Sequence, residues 1–378
     1  MPGRTVVKLA TVSAVVAASV LAVAPTAHAD LLTHCIGTGG AVTVPNDLLV
    51  PAGESCALTG TTITGNVTVA AGGNLVVAGG RVSGEVRVAA DGYLDATDTT
   101  IEGQVVLAAG GYGVFLKDAR TGTVTVRPKG SATVDSFLFA EQSTVTGHVN
   151  VSAGEVRLDR GTQVERNVSS TGTYYTDVHD SFVDGTLSVL NSATGSVVCG
   201  SAVRGRATFA GNVGGVQLGP NGALDSCASG GYWGGDVSIT STTGGVTVDD
   251  NIINGQLTVT SNDPAAQVAA NNRIRGGVTG DQAAATTNRS ARVAGPDRED
   301  AGDQRAEVRR TSAVQEATGR RRPALGARWS RRAGRHQASG PAPWSHRVAD
   351  PGRRAPGLTS PAAPRSPTEA RCGPGRPA

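Results

Sequence analysis

The sequence predicts an all-β protein: a single-stranded parallel β-helix, or β-solenoid, of about eleven coils with about 19 to 20 residues each. Three observations lead to this prediction. A short unit recurs along the chain, apolar residues alternate within it, and the composition is unusual for a globular core. Glycine accounts for 52 of 378 residues, whereas aromatic residues make up 3%. Stacked narrow coils need many tight corners and a core of small aliphatic side chains, so this composition fits the repeat.

The clearest copies of the unit have Ile or Val two positions before a glycine, and Val or Leu two and four positions after it. Their central glycines are Gly65, Gly84 and Gly103. Varied copies are centred on Gly122, Gly147, Arg166, Gly185, Gly205, Gly235, Gly255 and Gly276. A second apolar step falls between copies, at Leu75, Leu94, Val114, Val156, Val197, Val216 and Val246. Apolar residues at every second position are typical of a strand with one buried face.

A unit of this length cannot cover its own apolar face, so the copies must stack on one another. Adjacent coils then lie about 4.8 Å apart, and eleven coils make a rod about 50 Å long. Apolar steps at residues 63, 69 and 75 are close to the six-residue pattern of left-handed helices, but that pattern breaks once per coil. We therefore favour a right-handed helix, with the left-handed form as the alternative.

The first 29 residues predict a secretory signal peptide. Arg4 and Lys8 precede an apolar run from residue 9 to 24, and Ala27-His28-Ala29 forms a cleavage site before Asp30. The run is shorter than the roughly 18 apolar residues of a membrane span. We expect a secreted protein, extracellular or held at the cell surface, with no membrane span after cleavage.

The net charge of +3 conceals two opposite halves. Residues 30–280 carry 13 basic and 22 acidic residues, a charge of 13 − 22 = −9, whereas residues 281–378 carry 19 Arg and 9 acidic residues, or +10. The signal peptide adds +2. We therefore divide the chain into a signal peptide (1–29), a β-helix (30–282) and a tail (283–378). Because the β-helix is acidic, nucleic acid is not an expected partner for it.

Four of the five cysteines lie in the repeat region. Cys199 and Cys227 precede their repeat glycines by six and eight residues, so they fall at nearly the same place on adjacent coils. That spacing lies within the Cα distance that a disulfide requires, and export makes oxidation feasible. We predict Cys35–Cys56 in the N-terminal coil and Cys199–Cys227 across the longest one, with four buried thiols as the alternative.

The tail at 283–378 predicts disorder. It contains 11 prolines and no lysine, and it lacks apolar periodicity, so it cannot bury enough surface to fold. Two interpretations stay open. The tail is either a basic arm for anionic wall polymers or nucleic acid, or an extension produced by a frameshift in GC-rich DNA.

No motif in the repeat region indicates catalysis, and we predict no catalytic residues, no metal site and no cofactor. The best acidic cluster is Asp177, His179, Asp180 and Asp184. Strand alternation sends the first two to one side and the last two to the other, so these groups do not converge as paired carboxylates must.

Two features favour surface recognition instead. Tyr232 and Trp233 lie in a glycine-rich insertion and are candidate glycan-binding residues, because exposed rings stack on sugars; the alternative is that Trp233 covers an edge of the solenoid. The second feature is an outward column rich in Ser and Thr. It comprises Thr68, Arg87, Val106, Thr125, Asn150, Ser169, Ser188, Thr208, Ser238, Thr258 and Thr279.

The stretch from Cys56 to Leu75, CALTGTTITGNVTVAAGGNL, and that from Asp250 to Val259, DNIINGQLTV, resemble secreted Gly/Val-repeat proteins of uncharacterised function from high-GC Gram-positive bacteria. The likeness spans roughly residues 31–280. The repeated steps are also weakly similar to bactofilins, right-handed β-helices that polymerise end to end. Bactofilins are cytoplasmic or membrane-associated, so the signal peptide and cysteines depart from that pattern. Neither resemblance supplies catalytic residues.

The functional expectation is a secreted non-enzymatic β-solenoid, serving as a cell-surface, matrix, adhesion or glycan-binding structural module. Its expected partner is a cell-wall or extracellular polysaccharide. One alternative is a β-helix polysaccharide lyase or glycoside hydrolase. Another is a self-assembling polymer, since an uncapped solenoid end offers unpaired strand edges for end-to-end association.

Overall fold

The computed structural model describes residues 31–133, 135–283 and 298–319. Their strands pair in parallel and form three sheets, to which each coil contributes one strand in turn. The prediction of a parallel β-solenoid is confirmed, and its right-handed winding stays a prediction. There are about twelve coils rather than eleven, because residues 31–62 already form strands although the clear repeat begins only at Ile63.

Sheet A has 13 strands, and sheets B and C have 12 each. Sheet A comprises Leu32–His34, Asp47–Val50, Val67–Val69, Val86–Val88, Val105–Leu107, Val124–Val126, Val149–Val151, Val168–Thr171, Leu187–Leu190, Ala207–Ala210, Val237–Thr240, Leu257–Thr260 and Val278–Gly280. Sheet B comprises Gly37–Gly39, Ser55–Thr59, Asn74–Ala78, Tyr93–Thr97, Gly113–Lys117, Phe137–Glu141, Glu155–Asp159, Tyr175–His179, Ser196–Cys199, Val216–Leu218, Val246–Val248 and Gln267–Val268. Sheet C comprises Thr43–Val44, Thr62–Ile63, Arg81–Val82, Thr100–Ile101, Arg120–Thr121, Thr144–Val145, Gln163–Val164, Phe182–Val183, Ala202–Val203, Tyr232–Trp233, Ile252–Ile253 and Arg273–Ile274.

Equivalent residues of successive coils stand side by side. In sheet A, Val67 pairs with Val86, and Val86 pairs with Val105. These side chains are fully buried in a continuous core of Val, Leu and Ile. The predicted outward column from Thr68 to Thr279 is confirmed, because each of its members pairs with the next.

The corner between sheets B and C requires a left-handed backbone in successive coils. Gly79 has a φ of 62°, and the equivalent Asp98 and Asp118 have values of 47° and 49°. Glycine adopts this conformation without a steric penalty, and Asp is among the few other residues that tolerate it. The corners therefore account for part of the glycine excess.

Both predicted disulfides are present. Cys35 and Cys56 are joined with a Cα–Cα distance of 5.6 Å, and Cys199 and Cys227 with one of 5.5 Å. The first bond ties the N-terminal coil to the next coil within the core. The second ties the 30-residue coil to sheet B. Such bonds are typical of proteins that fold in an oxidising compartment.

Helix α1 spans Arg298–Gly319 and corrects the prediction of a tail without structure. Its sequence lies between Pro296 and Pro323, contains no proline, and is rich in the strong helix formers Ala, Arg, Glu and Gln. Residues 284–297 and 320–378 lie outside the described residues, as does the predicted signal peptide. Within the described part of the chain, no helix is long and apolar enough to cross a membrane.

Candidate functional site

Trp233, a candidate glycan-binding residue, lies inside the solenoid. Its side chain is 0% exposed, its ring meets Phe209 edge to face at 6.2 Å, and its Nε1 donates to Asn251 Oδ1 at 2.9 Å. The prediction of an exposed ring is therefore wrong for Trp233. The alternative of a cover over an outer edge is also wrong. Trp233 stands two residues before Gly235, and its neighbours in the sheet, Val203 and Ile253, are also buried in the core.

Tyr232 faces outward from sheet C and is 41% exposed. Its hydroxyl accepts a hydrogen bond from Asn254 Nδ2 at 2.6 Å. Glycan binding at Tyr232 stays a prediction, without the neighbouring indole that was expected to share the contact.

The predicted division of the acidic cluster holds for Asp177, His179 and Asp184 but is wrong for Asp180, which has a φ of 44° at the corner and lines the same cleft as His179. Asp177 and His179 point outward from sheet B, whereas Asp184 pairs with Arg204 at 3.2 Å beside sheet C. His179 Nε2 lies 3.4 Å from Asp225 Oδ2. Among the described residues, no group of three or more His, Cys, Asp and Glu side chains is placed to hold a metal ion.

The outward side of sheet B carries a patch that the sequence analysis did not single out. We call it the aromatic face; it consists of Tyr93, Tyr112, Phe115, Phe137 and Phe139. Phe137 and Phe139 stack at 4.5 Å, and Tyr112 meets Phe137 edge to face at 5.6 Å. These rings come from three adjacent coils.

A glycine makes room for this packing. Gly113 is the neighbour of Phe137 in the sheet, and a Cβ at Gly113 would lie 2.3 Å from the Phe137 ring. The ring can therefore lie over the preceding strand only because that strand has no side chain there.

Charged groups continue the aromatic face on both sides. Asp95 accepts a hydrogen bond from the Tyr93 hydroxyl at 2.8 Å. Towards the next coils, the Arg157 guanidinium lies over the Phe139 ring at 4.6 Å and donates to Glu141 at 3.1 Å. Tyr93, Asp95, Phe139, Glu141 and Arg157 are all almost fully buried, although they point away from the core of the solenoid.

Burial changes the acidity of these groups. It raises the pKa of the Asp95 carboxyl, because desolvation disfavours the charged form more than Tyr93 and Arg310 stabilise it. Burial also raises the pKa of the Tyr93 phenol, and the nearby Asp95 charge adds to the effect. Tyr175 shows the same direction, caused first by burial and then by Glu155. The two phenols therefore act as hydrogen-bond donors at neutral pH.

Helix α1 covers the aromatic face. Its side towards the sheet presents small residues, with Ala306, Ala313 and Ala317 buried. Gly302 lets the helix backbone approach Phe139, since a Cβ at Gly302 would lie 2.9 Å from that ring. Residues spaced by three or four along a helix share one face, so these positions form a single contact surface.

Three arginines of helix α1 lie over three rings. Arg305 is 4.8 Å from the centroid of Phe137, Arg309 is 4.6 Å from that of Tyr112, and Arg310 is 5.6 Å from that of Phe115. A guanidinium within about 6 Å of a ring is attracted by the negative charge of the ring face. The aromatic face thus forms three cation–π contacts with arginines of helix α1.

Each arginine also contacts an acceptor of the solenoid. Arg305 donates to both carboxylate oxygens of Glu155, at 3.3 and 3.0 Å. Arg309 donates from Nε to Asn74 Oδ1 at 2.7 Å, and Arg310 Nε lies 3.8 Å from Asp95 Oδ2. Two-point pairing to a carboxylate fixes direction as well as distance.

The strands that the two ends of helix α1 contact show in which direction the helix runs along sheet B. Near its start, Asp303 pairs with Arg157, and near its end Glu316 accepts a hydrogen bond from Ser55 Oγ at 2.6 Å. These helix residues are about 20 Å apart along the helix axis, and the two strands they reach are five strand spacings, about 24 Å, apart. Helix α1 therefore runs along the solenoid axis, opposite to the progress of the coils.

Beyond the helix, a loop at 219–231 covers the next part of sheet B and is held by the Cys199–Cys227 bond. Gln217 lies beneath it, fully buried. Its amide donates to the carbonyls of Gly219 and Asp225 at 3.1 and 2.8 Å, and accepts from the backbone of Leu224 and Asp225. These hydrogen bonds of Gln217 hold the loop against sheet B.

Two open clefts lie along the outward side of sheet B. One, of about 360 Å³, lies between helix α1 and the sheet at Phe115, Lys117 and Glu141. The other, of about 270 Å³, is lined by Asp159, His179 and the Cys199–Cys227 bond, among others. Each cleft is lined by both acidic and basic side chains.

No family model, curated protein or solved structure matches the chain.

Proposed function

We propose that this chain is a secreted, non-enzymatic β-solenoid that serves as a structural module of the cell surface or extracellular matrix. The observation that carries the proposal is the regular stack of parallel coils, which two disulfides and a docked helix hold together. In an otherwise regular solenoid, five rings gather on the outward side of three coils, with carboxylates beside them and arginines seated on them. Helix α1 covers these rings, so the cluster holds the helix on the solenoid rather than offering an open binding surface.

The state of the acidic groups supports a non-enzymatic role. Glu141 is paired with Arg157 and Arg160, Glu155 is paired with Arg305, and Asp95 accepts from a phenol under the helix. A general acid or base must reach the proton that it transfers in a substrate. These carboxylates are instead committed to holding the sheet and the helix together.

Two further observations support a cell-surface location. The two disulfides fit an oxidising compartment, and the signal peptide predicted at residues 1–29 would direct export from the cytoplasm. A stack of short repeated coils builds a long, stiff scaffold, which suits a matrix component.

Cell fractionation of a native or related host tests this proposal, with retention of the chain in the wall or matrix fraction as the readout. Recovery of the chain only as a free protein in the medium would contradict a structural role at the cell surface or in the matrix. Recovery from the cytoplasm would refute export, and release of sugars from any polysaccharide would favour the lyase or hydrolase alternative.

A further inference from the structure

We propose that the outward side of sheet C binds a neutral, extended polysaccharide, which lies along the solenoid axis on a row of apolar side chains. We call this row the apolar ladder; it consists of Phe182, Ala202, Tyr232 and Ile252, which pair from one coil to the next. The proposal rests on the location outside the cytoplasm proposed above, where polysaccharide is present, and it adds a ligand to the structural role.

The apolar ladder departs from the repeat. In the coils before it, the same outward position of sheet C is polar, and it is polar again in the coil after it. These polar residues are Thr43, Thr62, Arg81, Thr100, Arg120, Thr144 and Gln163 before the ladder, and Arg273 after it. The core does not require the apolar side chains of the ladder, because the next residue of each strand fills the core. A row of exposed apolar groups rimmed by polar ones marks an interaction site.

The shape of the apolar ladder favours a linear ligand. Each strand of sheet C has two residues, one of which faces outward, so the ladder is one side chain wide and about 14 Å long. Phe182, Tyr232 and Ile252 are 52%, 41% and 42% exposed, and their exposed parts amount to roughly 300 Å². A specific protein–protein interface takes about 800 Å² from each partner. The ladder therefore fits a single polymer chain better than it fits a folded protein.

The two aromatic rings of the ladder are placed to stack on alternate sugars. Phe182 and Tyr232 belong to strands two spacings apart, or about 9.6 Å, and the small Ala202 lies between them. That spacing is close to the length of a disaccharide unit in an extended β-1,4-linked chain. Sugar rings have apolar C–H faces and carry their hydroxyl groups at the edge, so each aromatic ring covers the face of one sugar.

Hydrogen-bonding groups lie beside the ladder on the side of sheet A. Asp184 pairs with Arg204 at 3.2 Å, and the Arg204 side chain is 75% exposed, so its guanidinium retains donors for a ligand. The Tyr232 hydroxyl accepts a hydrogen bond from Asn254 Nδ2 at 2.6 Å and has its own proton to donate. These groups lie where the hydroxyl groups at the edge of a stacked sugar need partners.

The charge around the ladder selects a neutral polymer. Asp180 and Asp250 are exposed at the corners two residues before Phe182 and Ile252. Residues 30–280 as a whole carry a charge of −9. Carboxylates accept hydrogen bonds from hydroxyl groups but repel the charges of an anionic wall polymer. A neutral chain makes both the stacking contacts and the hydrogen bonds without this repulsion.

Isothermal titration of the full-length, oxidised chain with two neutral probes tests the proposal. The probes are the hexasaccharides of β-1,4-linked glucose and of β-1,4-linked N-acetylglucosamine, and we expect the parent chain to bind at least one of them. Phe182→Ala and Tyr232→Ala should each weaken that binding about tenfold, because each removes one stacking ring. The matched control is Tyr174→Ala, which removes a ring that is 54% exposed outside sheet C and should bind like the parent.

Two results would overturn the proposal: no binding of either hexasaccharide by the parent chain, or the same affinity in Phe182→Ala, Tyr232→Ala and the control Tyr174→Ala. Tighter binding of polygalacturonate than of the neutral probes would overturn the assignment to a neutral polymer. If the titrations fail while the parent chain is still retained in the wall or matrix fraction, the ladder is excluded as a polysaccharide site and the proposed structural role is unaffected.

Discussion

Trp233 and Tyr232 are neighbours in sheet C that face opposite ways, and replacing each by alanine separates a core role from a surface role. The side chain of Trp233 is 0% exposed, and that of Tyr232 is 41% exposed. If the repeat phase determines their roles, Trp233→Ala should destabilise the solenoid strongly and Tyr232→Ala only slightly.

The magnitude follows from what the indole fills and donates. Removing a buried Trp or Phe side chain typically costs about 3 to 5 kcal/mol, because transfer free energy is lost and a cavity remains. The loss includes the hydrogen bond from Nε1 to Asn251, although Asn251 Oδ1 still accepts from the backbone of Gly231 at 2.9 Å. For Tyr232→Ala we expect about 0.5 to 1 kcal/mol, since the ring is partly solvated and makes one side-chain hydrogen bond.

Guanidinium unfolding of the oxidised chain, followed by far-UV circular dichroism, gives the two values. Tryptophan fluorescence is unsuitable because Trp329 and Trp344 lie in the tail. Hydrogen exchange adds a spatial test, since each coil contacts chiefly its neighbours. Protection should fall most in the flanking strands Ala202–Val203 and Ile252–Ile253.

Equal destabilisation by the two substitutions would refute the reasoning, as would a loss below about 1 kcal/mol for Trp233→Ala. The same pair of proteins tests glycan recognition at Tyr232. A loss of polysaccharide binding in Tyr232→Ala, at unchanged stability, is the outcome expected if that prediction is right.

Three further predictions concern the covered face of sheet B. Burial raises the pKa of Asp95, so the folded chain keeps a proton that the unfolded chain has lost, and stability attributable to this group falls as the pH rises above about 4. Asp95→Asn should therefore make the unfolding free energy fall less between acid and neutral pH. Urea unfolding at a series of pH values measures this, and the same pH dependence in the variant and the parent would contradict the prediction. Phe139→Ala should cost about 3 to 5 kcal/mol and expose helix α1 to proteolysis, whereas Phe182→Ala, at a ring that is 52% exposed in sheet C, should do neither. Cys199→Ser with Cys227→Ser should cost about 3.5 kcal/mol by the chain-entropy relation for a separation of 28 residues; thermal unfolding indistinguishable from the parent would show that the loop at 219–231 holds without its bond.

The repeat made the columns of the solenoid predictable. Once Gly65, Gly84 and Gly103 fix the phase, the pairing of Thr68 with Arg87 follows, and so does the rest of that outward column. The reason is physical, since a one-residue slip would turn every apolar side chain to solvent. The same phase places Trp233 inward, and the expectation of an exposed indole failed because it relied on the glycine-rich surroundings instead.

Phase was harder to follow where a coil departs from the pattern. Val197 looked like an inward residue of the second apolar step. It pairs with Asp177 and faces outward, while its neighbours Ser196 and Val198 face the core. An apolar side chain is tolerated outside because the loop held by Cys227 covers it. Because Ser196 is polar, the apolar pattern did not indicate that it faces the core, and the register of this strand was predicted wrongly.

Helix α1 was missed because composition was averaged over the whole tail. Its local signal is a set of small residues at 302, 306, 313 and 317, spaced by four, seven and four, in a segment free of proline. Such spacing marks one face of a helix. Its arginines, counted as part of a disordered basic tail, make the defining contacts with the aromatic face.

The aromatic face and the helix explain one another. Five of the ten Phe and Tyr residues of the chain fall between Tyr93 and Phe139, a density that the core does not require, because the inward positions of the same strands are filled by residues such as Leu94 and Val114. Uncovered, these rings would form an exposed apolar patch of a kind that soluble proteins rarely leave without a partner. A helix of alanines alone would cover them without direction. Arginines over the rings and opposite Glu155 add direction and register, so the departure from the repeat in sheet B and the helix at 298–319 are two sides of one contact.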